Sequence, residues 1–342
     1  MFNVENELLT SGLKTSEEVV EFMLKKVESH PQSLELRDLL SDAHLTAGEY
    51  KAGIQVCEGL LREEALQSNH SFRFRVVNRL AECADRMGDF ERAQVAYREA
   101  LEIDPYDANV ARRYGFLLLG MSELAPNGKV RGQHLEAAEK VFADALSNTQ
   151  DDVELYYGRG LALMRARRLE EAVADLEAGL KVDGTYIPIH HKLGECFQHL
   201  QRYPEAIEAY DAFVGGHHTY YQTFASHDEG TVPSAYILAD VLMRRARCYM
   251  EAGQLEFAAF DVDAILKLQV GTFTGIAYHL RGAIALRQGR HQDCIDDNTK
   301  ALSLCGTILP ALQDRAAAYQ SLDMISQAQE DLALIKILLS KH

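Results

Sequence analysis

The stretch GDFERAQVAYREALEIDPYD, residues 88–107, decides how the rest of the chain is read. It opens on a Gly-Asp turn and then sets Ala93, Tyr97 and Ala100 on one helical stripe, the spacing of a face buried against a neighbour. It closes on Asp104-Pro105, where a helix cannot continue. Just upstream, Val77, Leu80, Ala81 and Ala84 form the stripe of a preceding helix. Together the two predict a helix–turn–helix unit over residues 74–107.

The unit recurs along the chain. A first copy spans residues 33 to about 64 and turns at Gly48-Glu49-Tyr50, with Gly53 on its inner stripe. The third includes RRYGFLLLG, where Gly115 permits close helix approach, and resumes at HLEAAEKVFADAL after SELAPNGKVRG, residues 122–132. Pro126 and Gly128 mark that segment as a loop inserted between paired helices. The fourth and fifth copies contain LYYGRGLALMRARRLEEAVADLEAGLKVD and HHKLGECFQHLQRYPEAIEAYDAFV. A second insertion, residues 215–236, precedes three final copies that turn at Gly253, Gly289 and Asp323. At the N-terminus, SEEVVEFMLKKVES reads as a half-repeat with Ser16 as N-cap. The expected organisation is therefore an N-terminal segment (1–32), repeats one to five (33–214), an inserted loop (215–236) and repeats six to eight (237–342). A lone hairpin of this size has too small a core to stand, whereas stacked hairpins bury a continuous one.

The period and the small and aromatic positions of residues 74–107 resemble the tetratricopeptide repeat. The resemblance implies an all-α, right-handed superhelical solenoid that acts as a scaffold or adaptor for other proteins. Many such repeats hold acidic C-terminal peptides of heat-shock chaperones, using lysine and asparagine in one first helix, asparagine in the next and lysine and arginine in a third. The corresponding positions here carry Asp38 and Asp42, Asn78 and Glu82, then Arg112 and Phe116, so Asn78 alone fits and the usual clamp is not expected. A narrower resemblance covers about residues 153–340, where YHLRGAIALRQGRHQDCIDDNTKALSL looks like the repeats of co-chaperones that carry a J domain. No His-Pro-Asp tripeptide occurs in the sequence, so the resemblance extends to client or chaperone binding and not to J-domain activity.

Four repeats carry arginine with aspartate sixteen residues later: Arg159 and Asp175, Arg245 and Asp261, Arg281 and Asp297, Arg315 and Asp331. The turn falls midway, so each member lies about 12 Å along its own helix from the turn and the two should meet side by side. In the other four repeats both positions are apolar, as in Leu193 with Ala209. Internal ion pairs are the expectation, against the alternative of a ligand-binding row of charges.

First-helix positions that would line a concave groove include Arg75, Asn78, Arg79, Arg112 and Arg113, then His191, Lys192, Arg244 and Arg247. Either they form a basic strip for an acidic peptide, which arginine can grip bidentately, or they are solvated faces meeting neighbouring glutamates. Tyr156, Tyr157 and Tyr278 are read as core rather than ligand-stacking residues. His217, His218, His227, Asp228 and Glu229 of the second insertion lack helical ligand spacing, and no metal or other cofactor is expected.

A formal charge of −16 argues against nucleic acid as partner. No apolar run reaches the length of a membrane span. Cys83, Cys196 and Cys248 share one inward first-helix position, as small packing residues of a reducing compartment, which favours the cytoplasm, with the nucleus or cytoskeleton also compatible. No nucleophile–base pattern or phosphate loop occurs, so no enzyme is expected. Leu332, Leu334, Ile335, Ile337, Leu338 and Leu339 crowd the last helix with no polar capping helix after it. That edge reads as a contact for a partner or second copy, or as the end of a fragment. A structural part in a larger assembly is a further alternative.

Overall fold

The computed structural model describes residues 15–224, 234–306 and 308–340. Among these, every regular element is an α-helix: α1 Ser16–Ser29, α2 Leu34–Thr46, α3 Tyr50–Leu61, α4 Glu64–Gln67, α5 His70–Met87, α6 Phe90–Ile103, α7 Ala108–Leu124, α8 Gly128–Leu146, α9 Val153–Arg165, α10 Leu169–Val182, α11 Pro188–His199, α12 Tyr203–Phe224, α13 Ser234–Glu251, α14 Leu255–Leu268, α15 Gly271–Arg287, α16 His291–Cys305, α17 Leu309–Ser321 and α18 Ile325–Leu339. Apart from α1 and the single turn α4, they pair as consecutive hairpins, each first helix packed on its own second helix, α9 and α10 being joined by the Arg159–Asp175 pair.

The chain divides into two compact units, 1–175 and 176–342, with the division inside α10. In the first, one core runs from Ile54 to Ala162 and is filled by Tyr97, Leu118, Phe142 and Leu155, all fully buried. Phe142 of α8 fits between two first helices: a Cβ added at Gly115 of α7 or at Gly158 of α9 would lie 2.3 Å from its ring. In the second unit, Ala246, Val262, Ala277 and Ile284 belong to a core shared by α13, α14 and α15. Cys83, Cys196 and Cys248 are fully buried among first-helix residues.

Except in the third, the hairpins turn through a left-handed residue, as at Gly88 with φ of 83°. Arg167 and Gln201 hold the same conformation in the fourth and fifth hairpins. Asp89 caps α6 by accepting from the Arg92 amide, which explains the Gly-Asp signature.

Four readings change. Thr15 rather than Ser16 caps α1, in a capping box with Glu18. The first helix of the second repeat begins at His70, capped by Asn69, before residue 74. Residues 122–132 are not an inserted loop: α7 extends to Leu124, α8 starts at Gly128, and Asn127 caps it by accepting from the Val130 amide. The hairpin has lengthened both helices. Likewise α12 continues to Phe224, so residues 215–224 are helical. Residues 225–233, including His227, Asp228 and Glu229, lie outside the described residues.

Candidate protein-interaction surface

The sixteen-residue spacing brings arginine and aspartate together in all four charged repeats. Arg159 Nε and Nη2 donate to the Asp175 carboxylate at 2.6 Å each. Arg245 grips Asp261 at 2.8 and 2.6 Å, Arg281 grips Asp297 at 2.8 and 2.7 Å, and Arg315 grips Asp331 at 2.8 and 2.7 Å. Both carboxylate oxygens are occupied, the fork geometry that suits arginine better than lysine. Side-chain exposure separates the pairs: 11% and 1% for Arg245–Asp261, against 37% and 12% for Arg281–Asp297. Burial pushes the Asp261 carboxyl above its ordinary value, with Arg245 opposing it. Tyr278 lies under the Arg281 guanidinium, 5.2 Å from ring centre to cation.

Most of the first-helix cations in the first unit meet acids. Arg79 donates to the Asp38 carboxylate and to its backbone oxygen, and reaches Asp42 at 3.1 Å. Arg75 approaches Asp38 at 3.3 Å but stays mostly exposed, lying over the Phe72 ring. Arg112 pairs with Glu154 and Asp152, and Arg113 with Glu82. The Asn78 side-chain oxygen is buried with no hydrogen-bond partner among the described residues. Of the positions that correspond to a chaperone-peptide clamp, all but Asn78 are engaged: Asp38, Asp42 and Glu82 hold arginines, Arg112 is paired, and Phe116 packs edge-on to Phe142 at 5.6 Å. Tyr156 packs on the first unit's core and Tyr157 lies 6.5 Å from Phe116.

In the second unit, α11 and α13 build a denser cluster. His191 Nε2 lies 2.9 Å from Glu195 Oε1 and 3.4 Å from Asp240 Oδ2. Lys192 reaches Glu195 at 3.0 Å, and Arg244 Nε donates to Asp240 at 2.7 Å. Burial resists ionisation of Glu195, but the adjacent His191 ring and the charges of Lys192 and Arg244 hold its carboxyl well below the usual range. Asp240 is lowered in the same way, burial opposing His191 and Arg244. His191, Glu195 and Asp240 offer three ligand atoms within 4.8 Å of one another. Lys192 and Arg244 already neutralise those oxygens, so a divalent cation would enter against two fixed positive charges. The arrangement is a closed ion network rather than a metal centre.

Arg247 differs from its neighbours. It is exposed on α13, one turn from Arg244, and no acidic group among the described residues pairs with it. Desolvation against the helix and then the Arg244 charge push its guanidinium below the ordinary value, with the Asp240 charge opposing them from a distance. His217, read as a loop residue, is instead buried in α12 with its ring 5.4 Å from Phe213.

The acids Glu195 and Asp240 escape a search for basic groove residues, although they sit four residues from His191 and Arg244 on the same helix faces. Asp38 gave no such signal, because it meets Arg75 and Arg79 from another repeat.

A family model of the tetratricopeptide repeat matches residues 74–107, and another of the same description matches residues 127–184. The human DnaJ homolog subfamily C member 7 is 22% identical over 199 residues, 56% of this chain and 39% of the relative. Its mouse counterpart is 26% identical over 129 residues, 36% of this chain and 22% of the relative. The chain therefore spans well under half the length of these curated relatives. A tetratricopeptide repeat protein of Parabacteroides merdae superposes with a TM-score of 0.53 at 17% identity, covering 84% of this chain and 99% of that one. YrrB, described as a TPR protein with an unusual peptide-binding site, gives 0.50 at 17% identity, covering 65% and 98%. Residues 74–107 and 127–184 thus carry tetratricopeptide repeats, and the repeated helical hairpins share the fold of tetratricopeptide-repeat solenoids.

Proposed function

We propose that the chain is a non-enzymatic, cytoplasmic scaffold that holds an acidic segment of a partner protein on its first-helix faces. The observation that carries this reading is Arg247, an exposed cation left without an acid where its neighbours are neutralised. Arg75, mostly exposed in the first unit, is the second candidate contact. An arginine whose charge is uncompensated gains most from a carboxylate, and does so bidentately. The cysteine chemistry agrees with a binding role: burial raises the thiols of Cys57 and Cys294 to about 11 and of Cys83 and Cys248 to about 12, which leaves no thiolate nucleophile there at neutral pH. Affinity capture with quantitative mass spectrometry tests the reading. Arg247→Glu is expected to lose a set of proteins sharing acidic segments, and an unchanged set contradicts it.

Similarity to the DnaJ homologues favours a second reading, a client-binding co-chaperone module. Under that reading the chain suppresses aggregation of heat-denatured citrate synthase, and Arg247→Glu leaves the suppression intact.

The α18 edge is proposed as a self-association surface. Its Leu332 is 44% exposed, whereas Tyr97, Phe142, Leu176, Tyr210 and Val262, which hold the same repeat position, are at 0%. Ile325 and Leu339, seven residues to either side, are exposed too and complete an apolar row. Light scattering is expected to find a dimer that Leu332→Ser with Leu339→Ser reduces to monomer. A wild-type monomer at high concentration contradicts the proposal.

A further inference from the structure

The second helix of the sixth repeat, α14, carries Phe257 and Phe260 one turn apart, 60% and 73% exposed. Repeat alignment makes them anomalous. Phe257 occupies the position of Glu171, Glu205 and Asp293, and Phe260 that of Glu208, Asp296 and Glu330. No other repeat has an aromatic residue at either position. The other repeats hold charged, polar or small residues there, apart from the exposed Val95 at the Phe260 position. An exposed phenylalanine gains little for folding, and aromatic residues are enriched at the anchors of protein interfaces.

The surroundings hold the Phe257 ring in place. Phe257 stacks on Tyr249 of α13 with ring centres 5.4 Å apart, and Arg245 lies over the other partner of that pair, 5.8 Å from the Tyr249 ring centre. The Tyr249 hydroxyl donates to Asp211 at 3.4 Å. This fixes one ring of the patch before any partner arrives, which lowers the ordering cost of binding.

The rim is acidic. Asp211 is half-exposed beside Tyr249, Asp263 is exposed three residues beyond Phe260, and Glu256 is exposed one residue before Phe257. Arg245 satisfies part of Asp211, and Arg281 approaches Asp263 only at 3.7 Å. Lys267 is the exposed cation at the far end of α14. A second copy of a chain with a net charge of −16 would bring more negative charge to this rim, and so would an anionic lipid surface. A basic segment meets it with complementary charge, and its cations can also lie over the faces of the exposed rings.

We propose that Phe257 and Phe260 form a second docking surface, for a basic amphipathic segment of a partner protein that sets apolar anchors between lysines or arginines. It is independent of the acidic-segment reading, being on a second helix and of the opposite charge preference. The two surfaces let one chain bridge two partners of opposite charge.

Fluorescence anisotropy with a labelled leucine/lysine amphipathic peptide, and with a serine/lysine peptide of equal charge as control, tests this. The wild-type protein is expected to bind the leucine/lysine peptide at least about tenfold more tightly than the control, a gap of about 1.4 kcal/mol. Phe257→Ser with Phe260→Ser is expected to remove that preference with the helix content unchanged and only a small fall in melting temperature from the lost Tyr249 stack, since both rings are exposed. Asp211→Asn with Asp263→Asn should weaken binding and flatten its salt dependence. Arg247→Glu should leave it as it is. Equal binding of the two peptides, retained preference in the double phenylalanine variant, or tighter binding to anionic vesicles than to the peptide would overturn the proposal. So would a wild-type dimer that the phenylalanine changes dissolve.

Discussion

Arg245→Ala is expected to destabilise the second unit by about 3–5 kcal/mol, because it strands a carboxylate in the protein interior. Asp261 keeps 1% of its side-chain surface, and both of its oxygens are held by Arg245. The same change at Arg281 should cost only about 1–2 kcal/mol, since Arg281 is 37% exposed and water already screens the pair. Guanidinium denaturation followed by circular dichroism measures both, and equal losses would contradict the ranking. A stronger check replaces the pair rather than breaking it. Leu193 and Ala209 occupy the two positions in the fifth repeat, both buried. Arg245→Leu with Asp261→Ala should therefore recover most of the stability that Arg245→Ala loses, because an apolar pair leaves no charge behind. The four charged repeats are then one of two interchangeable solutions to the same packing problem.

Phe142→Ala is expected to cost the first unit about 3–5 kcal/mol. Its ring is fully buried, and the glycines at 115 and 158 exist to admit it. An alanine would leave a void that two backbones, separated by that ring, cannot close without shifting. The reverse change makes the same point from the other side. Gly158→Val places a Cβ where the Phe142 ring already is, 2.3 Å from Cζ, so overpacking should destabilise as well. Thermal melts of the two variants and of Gly158→Val with Phe142→Ala separate the effects. The double variant should be less damaged than the sum of the singles, because the added methyls partly fill the space the ring leaves. Additive losses would show that the glycines are not there for the ring.

What could be read from residues alone follows from how local each contact is. Arg281 and Asp297 meet inside one hairpin, so spacing and helix rise suffice to pair them. Asp38 and Arg79 meet between repeats, and no spacing rule within a hairpin reports it. The two apparent insertions misled for a physical reason. Pro126 and Gly128 do punctuate the chain, but Asn127 caps the next helix at once, so punctuation and insertion are different things. Gly215-Gly216 looked like a helix end, yet a Cβ at Gly216 would lie 2.2 Å from Ile187 Cδ1, so that glycine serves close packing inside a continuing helix. The groove cations are legible as residue types, but spacing leaves both a basic strip and faces meeting neighbouring glutamates open, because the deciding contacts run between repeats. Acids neutralise most of these side chains, and Arg247 and the exposed part of Arg75 remain.

The central claim is that the Arg–Asp pairs brace the repeats while Arg247 faces a partner's acid. Fluorescence anisotropy of a labelled aspartate- and glutamate-rich dodecapeptide tests it directly against three proteins: wild type, Arg247→Glu, and Arg245→Leu with Asp261→Ala. The account predicts at least about a tenfold loss, equivalent to about 1.4 kcal/mol, for Arg247→Glu and wild-type affinity for the replaced pair. Binding that survives Arg247→Glu and disappears with the replaced pair would contradict it, because the ion pairs themselves would then be the ligand site.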